Sequence, residues 1–133
     1  GAHVRIFDGY GKPKINAGFF VDKISKSGVQ VGCADIDGDS KDEIITVSGS
    51  AGKKYLKVFK ADGRLLKSRQ LKLDAKNIKI SHIDLGGDGV DEILIAAGWK
   101  NQPWVKIFRG DLSLINEFLA YDQNFSGGLN VIG

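Results

Sequence analysis

Asp35-Ile36-Asp37-Gly38-Asp39-Ser40-Lys41-Asp42-Glu43-Ile44 returns 49 residues later as Asp84-Leu85-Gly86-Gly87-Asp88-Gly89-Val90-Asp91-Glu92-Ile93. Two further markers flank this acidic stretch and recur in the same order. Ahead of it, Gly28-Val29-Gln30-Val31 becomes Asn77-Ile78-Lys79-Ile80 and then Gly128-Leu129-Asn130-Val131, at steps of 49 and 51 residues. Behind it, Tyr55-Leu56-Lys57-Val58-Phe59 is preceded by His3-Val4-Arg5-Ile6-Phe7 and followed by Trp104-Val105-Lys106-Ile107-Phe108, at steps of 52 and 49. Three markers that share one order and one period identify an internal repeat.

Each repeat reads as strands. The V-x-[VI]-F segments alternate apolar and basic residues, the period of a half-buried strand. Ile44 to Val47 and Ile93 to Ala97 are continuous apolar runs, which suit inner strands covered on both faces. Leu65 to Leu73 sets Lys67, Arg69 and Lys72 among leucines and reads as an exposed outer strand whose charges discourage edge-to-edge pairing. Asp8-Gly9, Asp62-Gly63, Gly110-Asp111 and Ser126-Gly127-Gly128 mark turns, and no stretch carries a helical stripe with caps. Four strands per cycle of about 50 residues is the pattern of a β-propeller blade; the competing reading is a β-sandwich with accidental similarity.

The fold expectation is therefore all-β, with blades of four antiparallel strands. The boundaries are a partial blade at 1–27, full blades at 28–76 and 77–127, and a partial blade at 128–133, about 2.7 blades in all. Closed propellers have 4 to 8 blades. The chain thus reads as a fragment or as part of an oligomer-completed propeller, and uncovered blade faces favour self-association. The lack of any Met fits an excerpt of a longer protein.

The acidic loop is the candidate site. Asp35, Asp37, Asp39 and Glu43 fall at positions 1, 3, 5 and 9, so carboxylates on alternate residues can turn inward while glycine allows the bend. Ca²⁺ takes six to eight oxygen ligands, and the Lys41 carbonyl supplies a further one. The helical calcium loop needs a bidentate Glu at position 12; here that position is Thr46 or Ile95, inside strand patterns. Zinc is excluded by the scarcity of His and Cys in the loops. The second loop keeps Asp84, Asp88 and Glu92 but has Gly86 at position 3, so it loses one ligand and binds more weakly. The alternative for both loops is an Asp/Gly turn held by side-chain-to-backbone hydrogen bonds.

The V-x-[VI]-F strand, the GG-[VL]-x-V strand opening and the D-x-D-G-D-x-x-[DE]-[DE]-I loop resemble the FG-GAP/VCBS repeats of integrin-like β-propellers. The resemblance spans nearly the whole chain. It implies Ca²⁺ ligands at Asp35, Asp37, Asp39, the Lys41 carbonyl and Glu43, and at Asp84, Asp88, the Val90 carbonyl and Glu92. Asp42 and Asp91 lie next to these and could substitute if the register slips by one. Ser40 in place of the family's usual Gly, and Gly86 in place of Asp or Asn, are departures.

Composition narrows the function. The net charge of +3 is too small to imply nucleic acid, and no apolar run approaches the roughly 18 residues of a membrane span. One cysteine rules out an internal disulfide framework; Cys33, among small apolar residues, reads as a buried thiol. No nucleophile elbow, P-loop or H-E-x-x-H motif occurs. His82 reads as packed or edge-exposed, and Trp99, Trp104, Tyr55 and Tyr121 are candidates for a sugar-stacking patch. The expectation is a non-catalytic, calcium-stabilised module of a secreted or cell-surface protein that binds protein or glycan in adhesion. The alternative is an appendage or part of a secreted polysaccharide-active enzyme.

Overall fold

A computed structural model describes residues 1–15, 18–23, 25, 27–50, 52–73, 75 and 77–133. Residue 76, at the expected boundary between the two full repeats, lies outside the described residues. Ten strands form three antiparallel sheets, and no helix occurs among the described residues. The all-β expectation stands at this level.

Sheet I pairs β1 (Ala2–Val4) with β2 (Phe19–Asp22). Sheet II runs in chain order through β3 (Val29–Ala34), β4 (Glu43–Ser48), β5 (Lys54–Phe59) and β6 (Leu65–Leu71). Sheet III repeats that order with β7 (Ile78–Ile83), β8 (Glu92–Ala97), β9 (Trp104–Phe108) and β10 (Leu114–Leu119). The continuous apolar runs became β4 and β8, and the apolar/basic alternations became β5 and β9. Two segments differ from expectation. The first V-x-[VI]-F copy stays in a strand only through Val4, with Phe7 in an isolated bridge to Pro13. Residues 128–131 form no strand, although the Leu129 amide donates to the Ala97 carbonyl at the end of β8.

The register shows why β4 must be covered twice. Ile45 and Val47 pair with Val58 and Leu56 and point to one face, while Ile44 pairs with Phe59 on the other. The first face joins Leu71 and Leu73 to Ile78, Ile93, Ile95 and Phe108 of sheet III. The second packs Ile44 and Phe59 on Ala2, Val4 and Val21 of sheet I. Beyond sheet III, Ala96 and Val105 pack on Leu129. The layers thus follow one another in chain order. Lys57 Nζ donates to the Val21 carbonyl at 2.7 Å, joining sheet I to sheet II. Lys67 Nζ and Arg69 Nη1 donate to the Gly110 and Leu112 carbonyls at 2.9 and 2.6 Å, joining sheet II to sheet III. The outer strand β6 is otherwise exposed along most of its length, as its charges predicted.

Edge strands β3 and β7 approach closely at Gly32, where an added Cβ would lie 2.8 Å from Ile80 Cγ2. On its opposite face β3 leaves Val31 47% exposed, and Cys33 is exposed as well. This corrects the buried-thiol reading. Small apolar neighbours in sequence do not bury a residue whose face no described segment covers. Partial burial, and then the charge of Asp42, still hold the thiol above its ordinary pKa.

Ile95 is fully buried between sheets II and III. Ile95→Ala is expected to cost about 2–5 kcal/mol in urea unfolding. Gly32→Ala, which must push Ile80 aside, is expected to cost about 1–3 kcal/mol. A loss below 0.5 kcal/mol for both would mean that the sheets do not pack as described.

Candidate metal centre

Both acidic loops connect the first and second strands of a sheet, and both fold by the same hydrogen bonds. Asp35 Oδ1 and Oδ2 accept from the Gly38 and Ser40 amides, each at 2.8 Å. Asp84 Oδ1 and Oδ2 accept from the Asp88 and Gly89 amides at 3.1 and 2.9 Å, the first donor lying one position later than Gly38 does in its loop. Asp39 accepts from the Lys41 amide and Asp88 from the Val90 amide. The Ile36 amide donates to Glu43 Oε2 and the Leu85 amide to Glu92 Oε2. Matching bends need left-handed backbone at residues 38 and 87 and again at 40 and 89. Glycine supplies it everywhere except Ser40, whose φ is 63°. The turn alternative therefore describes real bonds, which engage only part of the carboxylate oxygens.

In the first loop, Asp35, Asp37 and Asp39 bring carboxylate oxygens within 4.8 Å of one another. Asp37 and Asp39 are exposed and Asp35 is half-buried. Glu43 stands apart from that triad, fully buried at the start of β4. Lys41 is exposed and Val90 half-buried, each two residues ahead of its strand. In the second loop Asp84, Asp88 and Glu92 take the corresponding places, and Gly86 offers no side-chain oxygen.

Sequence reasoning missed the cation that the fold itself supplies. Lys60 Nζ, just past β5, lies 2.7 Å from Glu43 Oε1, 2.9 Å from Asp37 Oδ2 and 3.4 Å from Asp39 Oδ2. The Glu43 and Asp37 carboxylates, bonded to the ammonium, raise the Lys60 pKa well above its ordinary value. The same Lys60 bond lowers that of Asp37. Asp84 is lowered as well, chiefly by the Gly89 amide. A clue was present: Lys60 follows the V-x-[VI]-F marker, as Arg109 does in the next repeat. Arg109, however, forms no salt bridge among the described residues.

A second missed contact ties the two loops together. The Asp35 amide donates to Asp91 Oδ2 at 3.0 Å, and the Asp91 amide returns a bond to the Asp35 carbonyl at 2.7 Å. His82 Nδ1 lies 2.9 Å from the same Asp91 oxygen. Asp91 therefore clamps one loop to the other. His82 is exposed, at the edge of β7.

No family model, curated protein or solved structure matches this chain.

Ser40→Gly is expected to stabilise the fold by up to about 1 kcal/mol, because it relieves a left-handed non-glycine residue. Chemical denaturation measures this, and a destabilisation would show that the hydroxyl matters more than the backbone. The lowered Asp37 and Asp84 fix the sign of the acid response. Their stabilisation is complete above the ordinary carboxylate pKa of about 4 and is lost as the pH falls through their lower folded values. Stability is therefore expected to decline only below about pH 4. Asp37→Asn should flatten that decline, and an unaltered acid profile would contradict the pairing with Lys60.

Proposed function

We propose that the chain is a calcium-stabilised set of β-propeller repeats serving as a non-catalytic binding module for protein or glycan. The observation that carries this reading is the convergence of the Asp35, Asp37 and Asp39 oxygens. The propeller reading is supported by two four-stranded meanders of identical strand order, packed in sequence. It is further supported by bare apolar positions such as Val31, which suit another repeat of the same kind, from a second copy or from a longer chain.

The donor set fits a hard cation. Three carboxylates on alternate residues supply oxygens, and oxygen is what calcium takes. Asp35, Asp37 and Asp39 would hold the ion, with Glu43 and the Lys41 carbonyl completing the set, and Asp84, Asp88, Glu92 and the Val90 carbonyl forming a weaker second site. The ion's role is structural: it neutralises clustered carboxylates and fixes the turn. Lys60 sets the terms, because its ammonium already pairs with Asp37, Asp39 and Glu43. Calcium must share or displace that ammonium, so the first site is moderated by an internal competitor. Weak sites of this kind fill at the millimolar calcium found outside cells, which supports a secreted or surface setting and a role in adhesion.

Thermal melting tests the reading. Calcium at about a hundred times its Kd adds about 2.7 kcal/mol, or roughly 10 °C for a domain of this size. EDTA should remove that gain. Asp37→Ala should weaken calcium binding, whereas Gly86→Ala should leave it nearly intact. Melting that ignores both chelator and calcium would defeat the metal assignment.

Lys60→Met separates the two cations. It is expected to lower Tm without calcium, because buried Glu43 loses its partner, and to raise calcium affinity by removing the competitor. Unchanged calcium affinity, measured by calorimetry, would show that Lys60 does not compete.

A further inference from the structure

The ends of β3 and β7 opposite the acidic loops carry a second constellation. Gln30 on β3, Lys79 on β7 and Asn130 hold one register in three successive repeats. All three side chains line a single pocket of about 280 Å³, together with Asn77 and Trp99. Gly98, Gly127 and Gly128 also line it, and an added Cβ at each would lie under 3 Å from Asn77, Phe125 or the Trp99 backbone, so close packing there requires glycine. The volume is close to the low end of small-ligand sites, roughly 300 Å³. Five residues of extended strand separate Gln30 from Asp35, about 17 Å, so this pocket is distinct from the acidic loops.

Its chemistry is specific. The side chains of Gln30, Lys79 and Asn130 are exposed and form no hydrogen bond or ion pair with any described residue, so their polar groups are open to a ligand. Trp99 is 57% exposed, and Lys100 Nζ sits 4.1 Å from the centre of its ring. The Trp99 turn is fixed: Asn77 Nδ2 donates to the Trp99 carbonyl, the Lys100 amide to the Ser126 carbonyl, and the Leu129 amide to the Ala97 carbonyl. No carboxylate lines the pocket. An indole offers a flat surface to the C–H face of a sugar ring. Primary amides both donate to and accept from neighbouring hydroxyls. An unpaired ammonium selects a carboxylate over a neutral substituent.

We propose that this pocket binds a uronate unit of an acidic glycan. The proposal rests on the ligand-binding role above and names the ligand class and the place. Lys79 takes the sugar carboxylate, the Gln30 and Asn130 amides take hydroxyls, and the face of the Trp99 ring opposite Lys100 is the stacking surface.

The test is a calorimetric titration of the intact chain, in calcium, with trigalacturonate, maltotriose and tri-glutamate. Trigalacturonate is expected to bind at least tenfold more tightly than either of the others. Lys79→Gln and Trp99→Ala are each expected to weaken it about tenfold, the first by removing a charge-assisted bond and the second a stacking surface. Both residues are exposed, and an unchanged Tm confirms that the variants fold. Equal binding of tri-glutamate would show that charge alone acts. Equal binding of maltotriose would remove the role of Lys79. No saturable binding of trigalacturonate would overturn the proposal. A chain that melts higher in calcium yet ignores trigalacturonate loses this pocket and keeps the calcium-stabilised module. One that binds the sugar without any calcium effect does the reverse.

Discussion

Strands β4 and β8 have no solvent-facing side, and the rest of the molecule follows from that constraint. A strand buried on both faces cannot be stabilised by one sheet on one layer; it requires apolar partners above and below. Ile44 and Ile45 are adjacent in sequence, point in opposite directions, and are both buried. Sheet II therefore needs sheet I on one side and sheet III on the other, and sheet III in turn needs Leu129 and Val131. The hydrophobic term favours continuing the series. Wherever the described layers stop, apolar side chains such as Val31 remain in contact with water.

That same constraint places the functional features. Because sheets II and III begin with the neighbouring edge strands β3 and β7, their turns between first and second strands gather at one end of the stack. The openings of β3 and β7 gather at the other. Acidic loops 49 residues apart in sequence thereby become neighbours close enough for Asp35 and Asp91 to exchange backbone and side-chain bonds. Gln30, Lys79 and Asn130, each unremarkable in its own repeat, become one lining at the opposite end. In a stacked repeat, a position becomes a surface feature simply by recurring.

What was legible in the sequence follows the same division. The period-2 alternation in Tyr55–Phe59 and the unbroken runs at Ile44 and Ile93 announced half-buried and doubly buried strands, because burial of a strand is written in its own residues. The acidic loops were legible for the same reason: their bonds close within a few residues. Lys60 was not, since its partner Glu43 is 17 residues away across a strand pair, and nothing in Phe59-Lys60 tells which neighbour the ammonium meets. Asp91 was read as a spare ligand because it sits beside Glu92. The register between sheets, which local sequence does not encode, turned it toward Asp35. Cys33 failed in the opposite sense, since its apolar surroundings predicted a cover that no described segment provides.

Lys60 also bears on how such a site is tuned. A cluster of carboxylates with no counter-ion destabilises the fold by mutual repulsion, so folding then waits on metal. An ammonium held between Glu43 and Asp37 neutralises the loop without any metal, and an ion entering the proposed site would have to offset the pairing it displaces. The second loop has neither the third aspartate nor a cation clasped by Arg109. It gives up ligand count and competitor together, two changes that act on affinity in opposite directions. Comparing the two loops within one chain therefore mixes ligand count with internal cation, and only a change confined to Lys60 separates the two.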